Sequence, residues 1–140
     1  MSAQMVLLPV FVLVGLAFAL GFWMGAVRNK ALASGQTRIR DVTLNEPNWP
    51  ERATKVGNCF RNQFEVPMLF YVLVALALPL RHADLVFVLL SWVFVLTRYV
   101  HAGVFTTSNN MKQRFLAYLS GVLVLLAMWI YFALRILLLI

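Results

Sequence analysis

Four polar residues stand in a stretch of chain that is otherwise largely apolar: Asn58, Arg61, Asn62 and Glu65. Their i, i+3, i+4, i+7 spacing puts all four on one face of a helix. Arg61 and Glu65 are four apart and can pair along that helix. Pro67 follows almost at once, and a proline inside a helix leaves the carbonyl four residues back, here Gln63, without its donor. The segment therefore reads as a kinked, polar-faced helix. A second group is Arg98 and His101, three apart and again on one face. Arg114 lies just beyond the polar connection Thr106-Thr107-Ser108-Asn109-Asn110. Three successive helices thus place polar groups at a similar depth, which describes either a ligand pocket or a structural polar network.

Each residue also has a plainer reading. Arg61 with Glu65 serves equally as an internal ion pair that pins packing. Arg98, Lys112 and Arg114 can be membrane-edge cations that snorkel to lipid phosphates, and His101 a hydrogen-bonded helix contact. No metal set is expected, because His82 lies at the opposite end from His101 and Cys59 is the one cysteine. Asn62 is the hardest to set aside, since an unpartnered amide at membrane depth is a cost with no return.

The elements that position these groups follow from composition. The chain has 140 residues, of which 62% are hydrophobic and 12% charged, about half the charged fraction of an ordinary soluble domain, roughly 25%. Its mean hydropathy is +0.83. So short a chain cannot hide that much apolar surface in one soluble core, so lipid is the expected solvent. The net charge of +7 does not imply nucleic acid, because no solvated face remains to carry such a surface.

Four spans are expected, over about 5–27, 50–80, 85–105 and 111–138, within a single domain. The first carries no charge from Met5 to Val27 and is longer than the apolar core of a signal peptide, so it reads as a retained helix. Asn48 followed by Glu51, with Pro50 between, reads as a capping box opening the second helix. The short link Leu80–Asp84 makes an antiparallel hairpin of helices two and three. Arg28, Lys30, Arg38, Arg40, Arg52 and Lys55 crowd the first connection, and Lys112 with Arg114 the third. The positive-inside rule puts both in the cytoplasm and both termini outside. Trp23, Trp49, Trp92 and Trp129 are candidate interfacial anchors.

At the polar residues the sequence resembles the MAPEG family, membrane-associated proteins in eicosanoid and glutathione metabolism. The likeness is carried by Arg61-Asn62-Gln63-Phe64-Glu65-Val66-Pro67-Met68-Leu69-Phe70-Tyr71, similar to the family's Asn-x-x-Glu followed by Pro. It continues in Arg98-Tyr99-Val100-His101, like the Arg-x-x-His of helix three, and in Arg114 after the third connection. The ordered set covers the last two thirds of the chain, and the four-helix plan extends it to the whole. The resemblance implies an all-α membrane bundle, homotrimeric, with glutathione bound between subunits near the cytoplasmic side. Carried over by position, Arg61, Asn62 and Glu65 would contact the tripeptide, Arg98 and His101 would line the pocket, and Arg28 would complete it from the adjacent subunit. Arg114 would be catalytic, stabilising the thiolate. The lipophilic cosubstrate would enter sideways from the bilayer.

Three positions depart from the glutathione-using members. Asn58 or its neighbours stand where those enzymes have a further arginine, Phe105 replaces a tyrosine one turn after the histidine, and Pro67 is closer to Glu65. The wording is nearer to a bacterial branch, which implies an inner-membrane protein. The leading expectation is thus a glutathione-dependent transferase or peroxidase acting on lipophilic electrophiles or lipid hydroperoxides. Two alternatives are a proton-coupled exporter using Glu65, and a non-catalytic protein whose polar set fixes packing.

Overall fold

The computed structural model of the chain describes residues 2–139. Helix α1 spans Ala3–Ala33, α2 Glu51–Asn62, α3 Val66–Ala77, α4 Leu85–Thr106 and α5 Met111–Leu137, with a single 3-10 turn at Ile39–Asp41 in the first connection. Ser2 starts α1 by accepting the Met5 amide on its hydroxyl at 3.3 Å. The helix runs about two turns past its apolar stretch. It stops where Gly35, at φ 80°, takes the left-handed conformation that a glycine adopts without strain.

The second arm differs from the single kinked helix expected over about 50–80. It is two helices, interrupted at residues 63–65, where Glu65 leaves helical space at φ −96°, ψ −102°. The cause is Pro67. In mid-helix its missing amide and its ring would break the ladder. In the first turn of a new helix that amide is not needed, so the chain restarts at Val66. The expected capping box is also absent. Pro50 occupies the position before α2 in an extended conformation, with no side-chain cap, and Asn48, two residues earlier, is out of reach. Asn48 ties the connection together instead: its amide donates to the Asp41 carbonyl at 2.6 Å, and its own carbonyl accepts from the Thr37 hydroxyl at 3.1 Å. Glu51 pairs with Lys55 at 3.2 Å.

Helix α4 packs chiefly on α5, while α1 lies against α2 and α4, and α3 touches both α5 and α1. Leu13, Phe70, Leu73, Phe87, Phe94 and Met128 are fully buried between them. The Phe70 and Phe94 rings stack at 5.0 Å, and the Tyr99 hydroxyl donates to the Val12 carbonyl at 2.8 Å, linking α4 to α1. Outward-facing residues such as Phe11, Phe18, Phe22, Leu96 and Leu123 are exposed and apolar. Helices α1, α4 and α5 are each long and apolar enough to cross a membrane, and α2 with α3 makes the fourth arm. The chain is an all-helical integral membrane protein.

One carboxylate closes the end of the bundle where α4 begins. Asp84 accepts the Phe87 amide at 3.0 Å, capping α4. The same side chain takes the Tyr131 hydroxyl and the Arg135 guanidinium from the last turns of α5. Burial acts to raise the Asp84 pKa, but these hydrogen bonds and the guanidinium outweigh it and hold the carboxyl below its ordinary range. A carboxyl with a lower pKa in the folded than in the unfolded chain favours folding above the unfolded value. That contribution is lost as pH falls through the folded value. Asp84→Asn should therefore lower the melting temperature of detergent-purified protein at neutral pH, by the equivalent of about 1–2 kcal/mol given the partial exposure of the pair. The deficit relative to wild type should shrink as pH drops below about 4. A deficit that persists unchanged in acid would show that the carboxylate charge is not what ties α4 to α5.

Candidate functional site

At the opposite end of the bundle, where α2 and α4 finish and α5 begins, a cleft of about 440 Å³ opens between the helices. Asn58, Arg61, Asn62 and Glu65 form one wall. His101 and Phe105 come from α4, and Met111, Arg114, Phe115 and Tyr118 from α5. The four-residue face read from helical spacing therefore survives the break in the second arm, because Asn58, Arg61 and Asn62 lie on α2 and Glu65 sits at the restart. The expected Arg61–Glu65 ion pair does not form. Among the described residues the salt bridges are Glu51–Lys55 and Asp84–Arg135. The i, i+4 geometry that would join Arg61 to Glu65 ends with α2 at Asn62. Both are left exposed in a single chain, facing the same cleft with opposite charges.

Arg114 is held from three sides. Its guanidinium donates to the Asn109 side-chain oxygen at 2.8 Å, contacts the Met111 sulfur at 3.1 Å, and lies over the Phe105 ring at 4.6 Å. Asn109 can reach it because it adopts the left-handed region at φ 50°, which asparagine tolerates. Phe105, read as the loss of a hydroxyl, thus becomes the platform on which the cation sits. His101 is buried, and its Nδ1 has no hydrogen-bond partner among the described residues. Its ring lies 5.6 Å from Phe105 and 6.3 Å from Tyr118. The histidine is therefore an unspent polar group in the cleft wall, since the expected reading as a satisfied helix contact fails at Nδ1.

Two expected residues lie outside the lining. Arg98 is 2% exposed, and it donates to the Asn62 backbone carbonyl at 3.3 Å while its Nε is unpartnered. It sits behind the wall, so its charge reaches the cleft through protein and not by contact. Its burial replaces the membrane-edge, snorkelling alternative. Arg28 packs against the ring of Trp49 at 4.9 Å and over Gly57, where a Cβ would come within 3.1 Å of its terminal nitrogen. Cys59 is fully buried, with its sulfur 4.0 Å from the Ala102 carbonyl.

Sequence reasoning missed Tyr118. It stands four residues after Arg114, so helical spacing alone puts the two on one face of α5. Only the packing of α5 against α4 turns that face toward the cleft. The assembled set offers two guanidinium cations, one carboxylate, two amides, a phenol and an imidazole around a space of ligand size. It can hold a small molecule carrying both anionic and cationic groups.

Comparison with protein families gives a match to the family described as MAPEG family over residues 6–134. No curated protein and no solved structure matches the chain.

A buried guanidinium without a carboxylate partner is costly, and replacing buried ionic groups with apolar ones of similar volume is often neutral or stabilising. Arg98→Met is therefore expected to leave the melting temperature unchanged or raised. A fall of more than about 5 °C, on the order of 1 kcal/mol for a small domain, would instead make the Arg98–Asn62 hydrogen bond a structural tie.

Proposed function

The chain belongs to the MAPEG family, and from that premise we propose that its cleft binds glutathione and presents the thiolate to a lipophilic electrophile or lipid hydroperoxide. The observation that carries this reading is the convergence of Asn62 and Glu65 with Arg114 and His101 in one cleft of about 440 Å³. Glutathione has two carboxylates, one ammonium and a thiol. In this reading Arg61 takes a carboxylate, Glu65 the ammonium and Asn62 a peptide group, with charge-assisted bonds stronger than neutral ones.

A free thiol has a pKa of about 8.5 and ionises at neutral pH only beside a cation. Arg114, already oriented by Asn109 and Phe105, supplies that cation without having to reorganise. Tyr118, four residues on, adds a hydroxyl that can donate to the same sulfur. Glutathione supplies the chemistry itself. Its sulfur bonds to an electrophilic carbon as the leaving group departs with the electron pair, or two molecules become a disulfide as a hydroperoxide is reduced to an alcohol and water. The protein's own part is to bind, orient and hold the negative sulfur.

Arg61 and Glu65 are ionisable groups exposed on a single copy at the edge of the membrane, where such residues ordinarily face protein or a water-filled cavity. A homotrimer would surround them, with Arg28 contributed by a neighbouring copy. In this reading the protein lies in a bacterial inner membrane with both termini extracytoplasmic, and the basic first connection supports a cleft on the cytoplasmic side.

Ligand that binds only the folded state stabilises by RT ln(1 + [L]/Kd), so about a hundredfold excess over Kd adds roughly 2.7 kcal/mol. Glutathione should therefore raise the melting temperature saturably, and Asn62→Ala and Glu65→Ala should abolish the rise. Arg114→Ala should preserve binding but cut conjugation or peroxidase turnover by about 10²–10³-fold, as loss of a preorganised electrostatic group does. A flat glutathione response in wild type, together with unchanged turnover in Arg114→Ala, would overturn the reading. A substrate-driven proton flux lost in Glu65→Gln would assign the carboxylate to a proton relay instead.

A further inference from the structure

At the same end of the bundle as the polar cleft, a separate recess of about 430 Å³ lies where α1, the first turns of α2 and the end of α4 meet. Trp23 lines it from α1, Glu51, Arg52 and Lys55 from α2, and Thr106 with Thr107 from α4. It shares no residue with the cleft. Its level in the membrane follows from the chain. Trp23 comes shortly before Arg28, the first charged residue of α1, and α4 ends at Thr106. A tryptophan and cations gathered where spans end mark the headgroup layer.

The lining carries both charges. Arg52 is exposed, and its guanidinium lies over the Trp23 ring at 5.2 Å. Among the described residues it makes no salt bridge, so its N–H donors remain for an anion. Lys55 is half-buried and braced between the Glu51 carboxylate at 3.2 Å and the Thr107 carbonyl at 3.5 Å. Glu51 is exposed and spends one oxygen on that pair. Thr106 and Thr107 donate their hydroxyl protons back to the Ala102 and Gly103 carbonyls. Their oxygens are left as acceptors.

We propose that this recess holds the headgroup of a phospholipid that ends in a primary amine, a phosphoethanolamine diester. The phosphodiester is an anion for Arg52 and Lys55. The ammonium brings N–H donors to the Glu51 carboxylate and the threonine oxygens. A choline headgroup has the same charges but no N–H to donate. A glycerol headgroup has hydroxyl donors but no cation for Glu51. Basic residues at the membrane surface by themselves favour anionic lipid, and the carboxylate among them turns the preference toward a zwitterion. The site does not depend on the ligand proposed for the polar cleft.

The test is native mass spectrometry of the full-length protein in detergent with an equimolar mixture of dioleoyl phosphatidylethanolamine, phosphatidylglycerol and phosphatidylcholine. The ethanolamine lipid should be retained roughly tenfold better than either of the others, the size of one hydrogen bond to a charged group. Glu51→Gln should erase its advantage over the glycerol lipid, and Arg52→Gln should lower retention of all three. Arg81→Gln, an exposed cation removed at the opposite end of the bundle, should change nothing, and thermal melts confirm that each variant folds. If Arg52→Gln does not fold, the wild-type ranking and Glu51→Gln carry the test. Equal retention of the three lipids by wild type would overturn the proposal. So would an ethanolamine preference surviving in Glu51→Gln, the same loss in Arg81→Gln, or no retention because another copy of the chain covers the recess. Displacement of the lipid by soluble sn-glycero-3-phosphoethanolamine at equal concentration would overturn it too, making this a site for a free phosphoester.

Discussion

The arrangement of this protein depends on how one membrane arm accommodates a proline. In hydrocarbon every backbone amide and carbonyl must find its partner within the protein, and Pro67 has no amide to offer. The chain answers by ending α2 at Asn62 and restarting at Val66. The restart puts Pro67 where no hydrogen-bond donor is required. The interruption also leaves Arg61 and Glu65, both exposed on a single copy, beside the other polar groups of the cleft. Arg98 of α4 uses it directly, donating to the carbonyl of Asn62 at the end of α2.

Around this junction the side chains divide by helical phase. Asn58, Arg61, Asn62 and Glu65 line the polar cleft, and Phe60, Gln63, Phe64 and Tyr71 an apolar cavity beside α1. The same few residues thus line a polar cleft on one side and an apolar cavity on the other. Along α5, Arg114 is held in place by an asparagine, a thioether and an aromatic ring, and among the described residues it makes no salt bridge. A cation fixed by neutral groups keeps its full charge for whatever anion arrives. Arg135 at the other end of α5 is the opposite case. Its charge is spent on Asp84, and together with Tyr131 it locks the α4 start to the α5 end. One end of the bundle is thereby tied, and the other is left with unspent charge.

Much of this was legible in the residues. Composition and run lengths established a membrane bundle, since no soluble core could bury so apolar a chain. The i, i+3, i+4, i+7 pattern identified the Asn58–Glu65 face, because side-chain phase follows from the number of residues per turn and survives a short interruption. The capping box at Asn48 and the Arg61–Glu65 pair did not survive. Both assumed one regular helix beginning at the first plausible cap, whereas Pro50 and Pro67 each imposed a local boundary that pairwise spacing does not register.

Sequence by itself determined the solvent, the arms, and which residues of each arm share a face, all of which are properties of local periodicity and transfer energy. Tertiary structure alone decided which faces meet. Tyr118 joins the cleft, Arg98 retreats behind its wall, and Arg28 settles on Trp49 and Gly57, because the helices approach in one particular way. The unpaired carbonyl of Gln63 is of the same kind. A glutamine in a sequence has every partner open to it, and only packing determines that one of its atoms is buried with none among the described residues.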